Sequence, residues 1–140
     1  MHISRRTLLS AGAGAITFLG FGRMPAFASE AEDAIAALLD GAPIATDQLT
    51  IEAPEIAENG NNVPITVTAE GAQSITLFAD GNPEPKIASF AFGPLSQSGF
   101  ASTRVRLAQT QNVIAIAKMS DGSFQRAQAV VKVTIGGCGG

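Results

Sequence analysis

Few side chains in this 140-residue sequence could do chemistry, and a thiol stands out among them. Cys138 is the sole cysteine and lies within Gly136-Gly137-Cys138-Gly139-Gly140. The sole histidine is His2, so the chain beyond its N-terminal segment has none. Ser-His-Asp and Cys-His nucleophilic catalysis are therefore excluded within the chain. One cysteine cannot form an intramolecular disulfide, and with one histidine it cannot build a thiolate and imidazole metal cluster. No Gly-x-Ser-x-Gly elbow is present, and the Gly-x-Gly elements do not join a strand to a helix, so no phosphate cradle is indicated. Glu52, Glu55 and Glu58 could be imagined as an acid/base pair, but they fall in a proline-interrupted stretch and read as a solvated surface. Arg104 and Arg106 share one strand face and could hold an anion, with ion pairing or solvent exposure the stronger expectation. No catalytic acid or base, no metal and no cofactor is expected.

What remains is the tail. Four glycines around Cys138 allow nearly any backbone conformation and bring no side chain to clash, so Gly136 to Gly140 is expected to be a mobile arm. At about 3.3 Å per residue the thiol could stand roughly 10 Å beyond the preceding strand and enter a narrow channel in another protein. An exposed thiol with nothing nearby to acidify it is only a few per cent thiolate at neutral pH, a poor nucleophile by itself. It suits activation inside another protein's active site. The competing explanations are an incidental terminal thiol, a disulfide between copies, and prenylation. Prenylation requires a cysteine four residues from the end, whereas Cys138 has two residues after it.

The N-terminal segment reads as an address. A basic start is followed by an uncharged apolar stretch from Thr7 to Gly22 and then Ala26-Phe27-Ala28, a small-x-small sequence suited to cleavage before Ser29. Ser4-Arg5-Arg6-Thr7-Leu8-Leu9 has the form of a twin-arginine export signal, with Arg5 and Arg6 as its arginine pair. The apolar run of about 16 residues is short of the roughly 20 that span a bilayer, so residues 1–28 are expected to be removed and the rest to work in the periplasm without stable membrane insertion. Twin-arginine carriage implies folding before export. The chain has 9 Lys and Arg against 12 Asp and Glu, and this lack of basic excess argues against nucleic acid as a partner.

Positioning the thiol falls to the body, expected as one domain over residues 29–135. Ala31, Ala34, Ile35, Leu38 and Leu39 recur at helical spacing, predicting a helix over 30–39 with acids in its first turn, stopped by Asp40-Gly41 and Pro43. The period then changes to two. Strands are expected at 48–52, 63–69, 75–79, 86–92, 104–107, 112–119 and 124–135, divided by Asn59-Gly60, Asp80-Gly81, Gly93-Pro94 and Asp121-Gly122. About seven short strands with no helix between them predict an all-β, immunoglobulin-like antiparallel sandwich, with a small open barrel as the runner-up. A core poor in large side chains leaves room for an apolar face against a partner. The candidates are Phe78, read as facing outward, and Phe90-Ala91-Phe92, for which burial on both sides within the domain is the stronger expectation.

With these residues in place, the chain resembles the SoxY family, sulfur-carrying subunits of the SoxYZ complex in bacterial thiosulfate oxidation. The resemblance covers the twin-arginine signal, Pro54-Glu55-Ile56-Ala57-Glu58-Asn59-Gly60-Asn61, Ser102-Thr103-Arg104-Val105-Arg106-Leu107, Met119-Ser120-Asp121-Gly122-Ser123-Phe124 and the terminal pentapeptide. It implies a covalent carrier whose cargo is attached at Cys138. A c-type cytochrome complex, SoxAX, joins thiosulfate to the thiol, a SoxB-type hydrolase releases sulfate, and a sulfane dehydrogenase, SoxCD, where present, oxidises the remaining sulfur. It also implies SoxZ as the obligate partner. One departure is Gln125, where the family commonly has an aromatic. Two further readings differ in class: a ubiquitin-like sulfur donor acting through the Gly139-Gly140 carboxylate, and a periplasmic β-sandwich adaptor. The first needs ATP and a helix between strand pairs; the isolated Cys138 behind an export signal argues against both.

Overall fold

The computed structural model describes residues 26–134 apart from 97, with side-chain surroundings from Ser29 onward. Arg5, Arg6, Gly136, Gly137, Cys138, Gly139 and Gly140 lie outside the described residues.

Helix α1 spans Ala26–Leu39. Ala31 and Ile35, one turn apart, are fully buried, while Leu38 is exposed, so the buried stripe is narrower than the apolar spacing predicts. The helix begins a turn earlier than expected, which moves Glu30, Glu32 and Asp33 out of its first turn. Dipole stabilisation by those acids does not apply. Glu32 instead forms a bidentate ion pair with Arg126, at 2.7 and 3.1 Å. Asp40 and Gly41 both take positive φ and end the helix, as that dipeptide predicts.

Nine strands follow: β1 (Ile44–Ala45), β2 (Thr50–Glu52), β3 (Ile56–Ala57), β4 (Val63–Thr68), β5 (Ala72–Ala79), β6 (Lys86–Ala91), β7 (Phe100–Val105), β8 (Gln111–Met119) and β9 (Phe124–Val133). The larger sheet runs β1-β9-β8-β5-β6, with β3 also on β9; the smaller runs β2-β4-β7. The seven longer strands correspond to the expected ones, except that β7 begins at Phe100 and ends at Val105, so that Arg106 and Leu107 lie just beyond it, and the whole is the expected sandwich. The two additions, β1 and β3, are two residues each, too short to show a period. They pair with β9 in parallel, one at each end of the same edge. Between them the chain crosses to the smaller sheet as β2 and returns.

Two apolar layers hold this together. Val63, Ile65 and Val67 from the smaller sheet interdigitate with Ile75, Leu77, Val113, Ala115 and Val131 from the larger. On the far side of the larger sheet, Ile35 of α1 packs on Phe78, Ile114, Ile116 and Phe124. This corrects the expectation for Phe78. It does point away from the sandwich interior, but the chain's own helix covers it and leaves it 2% exposed. Phe90-Ala91-Phe92 is not buried on both sides either: Phe90 and Phe92 are partly buried against the main core and Ala91 is exposed. The doubly covered strand is β8, central in the sheet and buried continuously from Val113 to Ala117. A β-grasp would place a helix between strand pairs, whereas α1 precedes every strand.

Candidate functional site

The described chain stops at Thr134, four residues before Cys138. The site that can be built is therefore the root of the thiol-bearing segment and the pole of the sandwich around it. β9 reaches that pole together with the starts of β4, β6 and β8 and the ends of β3, β5 and β7.

β9 outruns its antiparallel partner, and other groups take over the pairing. The β8 ladder finishes at Gln111 opposite Val131. Thr110 then continues it by side chain, its Oγ1 accepting the Val133 N–H at 2.9 Å. On the other edge, the Lys132 N–H donates to the Glu55 carbonyl at 2.9 Å and the Thr134 N–H to the Ala57 carbonyl at 3.1 Å. The Thr134 hydroxyl donates to the same Ala57 oxygen at 3.3 Å. Just beyond β3, Gly60 sits so close that an added Cβ would lie 2.6 Å from the Leu107 carbonyl oxygen and 2.9 Å from Val133 Cγ1. Glycine is required here by close approach of two chain segments. Its own carbonyl accepts the Leu107 N–H at 2.7 Å. The stretch 54–61 is thus the brace on which the last described residues of β9 rest.

A buried amide pair organises the other side of the pole. Gln111 accepts the Gly81 N–H at 2.8 Å through Oε1 and donates through Nε2 to Asn82 Oδ1 and the Gln109 carbonyl, both at 2.9 Å. Asn82 accepts the Ala108 N–H at 2.9 Å and donates to the Arg106 carbonyl at 2.8 Å. Among the described residues no buried side-chain polar atom lacks a partner. The loop 106–110 is consequently tied on one side to the β5–β6 turn and on the other to Val133.

Two grooves of about 490 Å³ open at this pole. One, beside β3 and β9, is lined by Ala53, Glu55, Ile56, Ala129, Val130 and Lys132, with Ile56 and Val130 each 57% exposed. The other lies between β6 and β7, the free edges of the two sheets, and carries Lys86, Arg104 and Arg106 with Glu84. A larger cavity of about 570 Å³ lies at the opposite pole, around Gly71, Phe92 and Pro94, and holds neither thiol nor cation. Arg104 and Arg106 are exposed and form no ion pair among the described residues; Arg104 donates to Asn62 Oδ1 at 3.2 Å. Lys86 escapes a reading of the sequence because it lies 18 residues away on the other sheet. Only the closure of the sandwich brings it to the two arginines.

The remaining motifs hold the scaffold together. Asp121 accepts hydrogen bonds from the Ser123 hydroxyl and the Ser123 N–H, which hold its carboxyl below its usual range and close the β8–β9 turn. Gln125 is buried, and its Oε1 accepts the N–H groups of Asp47 and Gln48, both at 3.2 Å. Gln125 is thus a clamp on the crossing from β1 to β2. Glu52, Glu55 and Glu58 are exposed, as expected for a solvated surface. No cluster of three or more metal-ligating side chains occurs among the described residues, and no described helix is long and apolar enough to cross a membrane.

The family model "Sulfur oxidation protein SoxY" matches residues 35–138, a span that closes on Cys138. The sulfur carrier protein SoxY from Chlorobium limicola f thiosulfatophilum is 41% identical, with a TM-score of 0.66, covering 77% of this chain and 99% of its own. A superoxide reductase (neelaredoxin) from Ignicoccus hospitalis is 20% identical, with a TM-score of 0.55 over 64% of this chain and 82% of its own. A putative superoxide reductase from Thermotoga maritima is 18% identical, with a TM-score of 0.53 over 69% and 89%. The last two likenesses show the fold alone. No curated protein matches the chain.

Proposed function

This chain belongs to the SoxY family of sulfur oxidation proteins, and from that premise we propose that it is a periplasmic covalent carrier whose cargo is bound at Cys138. The observation that carries the reading is the placement of the sole thiol. It lies five residues beyond a strand end that is braced on both edges, within glycine, and at the residue where the family match closes. A rigid root with a side-chain-free extension lets a thiol enter a partner's active site while the body stays outside. The described residues offer a scaffold and two grooves at this pole, and the chemistry is supplied in trans.

In the first step the Cys138 thiolate sulfur and the sulfane sulfur of thiosulfate form an S–S bond. The thiol proton goes to solvent, and two electrons pass to a c-type cytochrome partner of SoxAX type. Water then attacks the sulfonate sulfur of the Cys138 S-thiosulfonate in a SoxB-type hydrolase, the S–S bond to that sulfur breaks, and sulfate leaves with two protons. Cys138 is left as a persulfide. A SoxCD-type sulfane dehydrogenase accounts for further oxidation and return of the thiol. SoxZ is the standing partner, and the Arg5-Arg6 signal directs export of the folded chain, with the arm over 136–140 free to move between enzymes.

Thiosulfate-dependent electron transfer in a system reconstituted with SoxZ and the oxidising partners tests this reading. Cys138→Ser should abolish turnover; full activity from that variant would overturn it. Arg5→Lys with Arg6→Lys should retain the chain in the cytoplasm, and unchanged export would refute the address.

A further inference from the structure

The groove between β6 and β7 plays no part in the carrier scheme, and its charge runs against that of the body. Beyond the N-terminal segment there are six basic side chains against twelve acidic ones, yet Lys86, Arg104 and Arg106, half of the basic set, line this one groove. Glu84 is the sole carboxylate lining it, and none of the three cations is ion-paired among the described residues. Unpaired cations crowded between two free sheet edges attract an anion, and the low-dielectric walls of a groove strengthen that attraction.

The groove opens at the same pole as the root of the carrier segment, across the 106–110 loop from it. Ala108 lines it, and Thr110, two residues on, holds the Val133 N–H at 2.9 Å. Successive Cα atoms are about 3.8 Å apart, so one short, doubly tethered loop separates groove from root. From Thr134 to Cys138 an extended chain reaches about 13 Å, enough to pass over that loop.

Resting on the carrier reading, we infer that this groove is a docking site for the sulfonate of the Cys138 S-thiosulfonate, held by Lys86, Arg104 and Arg106. The bare thiol has no charge to place there, and a persulfide offers no sulfonate oxygens for guanidinium donors. The chain therefore distinguishes its loaded form from its empty form: the loaded arm lies along the body until an enzyme withdraws it, and loss of the sulfonate as sulfate frees it.

The test loads the full exported chain, in complex with its partner subunit, by chemistry independent of any enzyme. With tetrathionate the Cys138 thiolate attacks a central sulfur, forming the S-thiosulfonate and expelling thiosulfate. Backbone amide resonances are followed in the thiol, S-thiosulfonate and uncharged S-methyl disulfide forms. The docking site predicts shifts at Lys86–Ala88 and Thr103–Arg106 in the S-thiosulfonate form alone, removed by raised salt and by the triple variant Lys86→Gln, Arg104→Gln, Arg106→Gln. Release of the adduct by excess dithiothreitol should be about fivefold slower in wild type than in that variant. No shift on loading, equal shifts in the S-methyl form, or equal release rates would overturn the proposal. The same shifts from free thiosulfate added to Cys138→Ser would assign the groove to the free ion and also overturn it. Because loading is chemical, these outcomes are separable from failure of the carrier reading, which appears as failure of the oxidising partner to modify Cys138.

Discussion

Thr134 donates twice to the main-chain oxygen of Ala57, through its amide at 3.1 Å and its hydroxyl at 3.3 Å. This pair of hydrogen bonds to one acceptor ends the brace one residue past β9. Everything that sets where the thiol-bearing segment begins passes through it, through Thr110 on the opposite edge, and through Gly60 beneath.

Gly60 is the tightest of these supports. In Gly60→Ala the new Cβ would meet a backbone oxygen, which cannot rotate away, as well as Val133. Overpacking of this kind costs about 1–3 kcal/mol. Urea unfolding should show that loss, with faster amide exchange at Val133 and Thr134. Wild-type stability and exchange in the variant would mean that the brace is not under close packing.

Phe78 tests the second apolar layer. It is buried between the larger sheet and α1. Phe78→Ala should destabilise the chain by about 3–5 kcal/mol. A change within about 0.5 kcal/mol would mean that the helix does not stay seated in solution.

Gln125→Ala removes the acceptor shared by the Asp47 and Gln48 amides. Leaving partly buried donors unpaired costs about 1–3 kcal/mol. Exchange should rise at those two amides first, and unaltered protection there would contradict the clamp.

The Glu32–Arg126 pair has a defined pH signature. Hydrogen bonding to Arg126 holds the Glu32 carboxyl below its usual range, so its contribution is complete above the ordinary glutamate value, near pH 4.3, and fades as pH falls through the lowered one. Both side chains are partly exposed, which limits the gain to under about 1 kcal/mol. Glu32→Gln should therefore be less stable by a few tenths of a kcal/mol at pH 7 and equal to wild type near pH 2. A difference that persists at low pH would place the effect in packing.

Much of the fold was legible because β4 alternates strictly, Ile75, Leu77 and Ala79 alternate in β5, and Asp-Gly turns follow β5 and β8. What was not legible depends on sheet order. Phe78 alternates outward correctly, yet nothing local to it says that a helix some 40 residues upstream lies across it. The Val113–Ala117 run is apolar at every position, the mark of a central strand, and the pairing puts β8 at the centre and β6, which carries Phe90 and Ala91, at the edge. β1 and β3 are defined by their partner β9 and have no period of their own. Cys138 stands out in the sequence by its glycine setting and lies outside the described residues, while Arg104 and Arg106, for which ion pairing or solvent exposure is the stronger expectation, are exposed and form no ion pair among the described residues. Lys86, Thr110 and Gly60 acquire meaning only when seven strand ends and a loop meet at one pole.

The central claim is that Cys138 carries the sulfur. Trypsin cleaves after Lys132 and leaves residues 133–140 as a single peptide containing the sole thiol. After incubation of the chain, together with a SoxZ-type subunit, with thiosulfate and a SoxAX-type cytochrome, that peptide should gain the mass of one S2O3 group, lost on treatment with dithiothreitol. An unmodified 133–140 peptide under conditions in which thiosulfate is consumed would contradict the account.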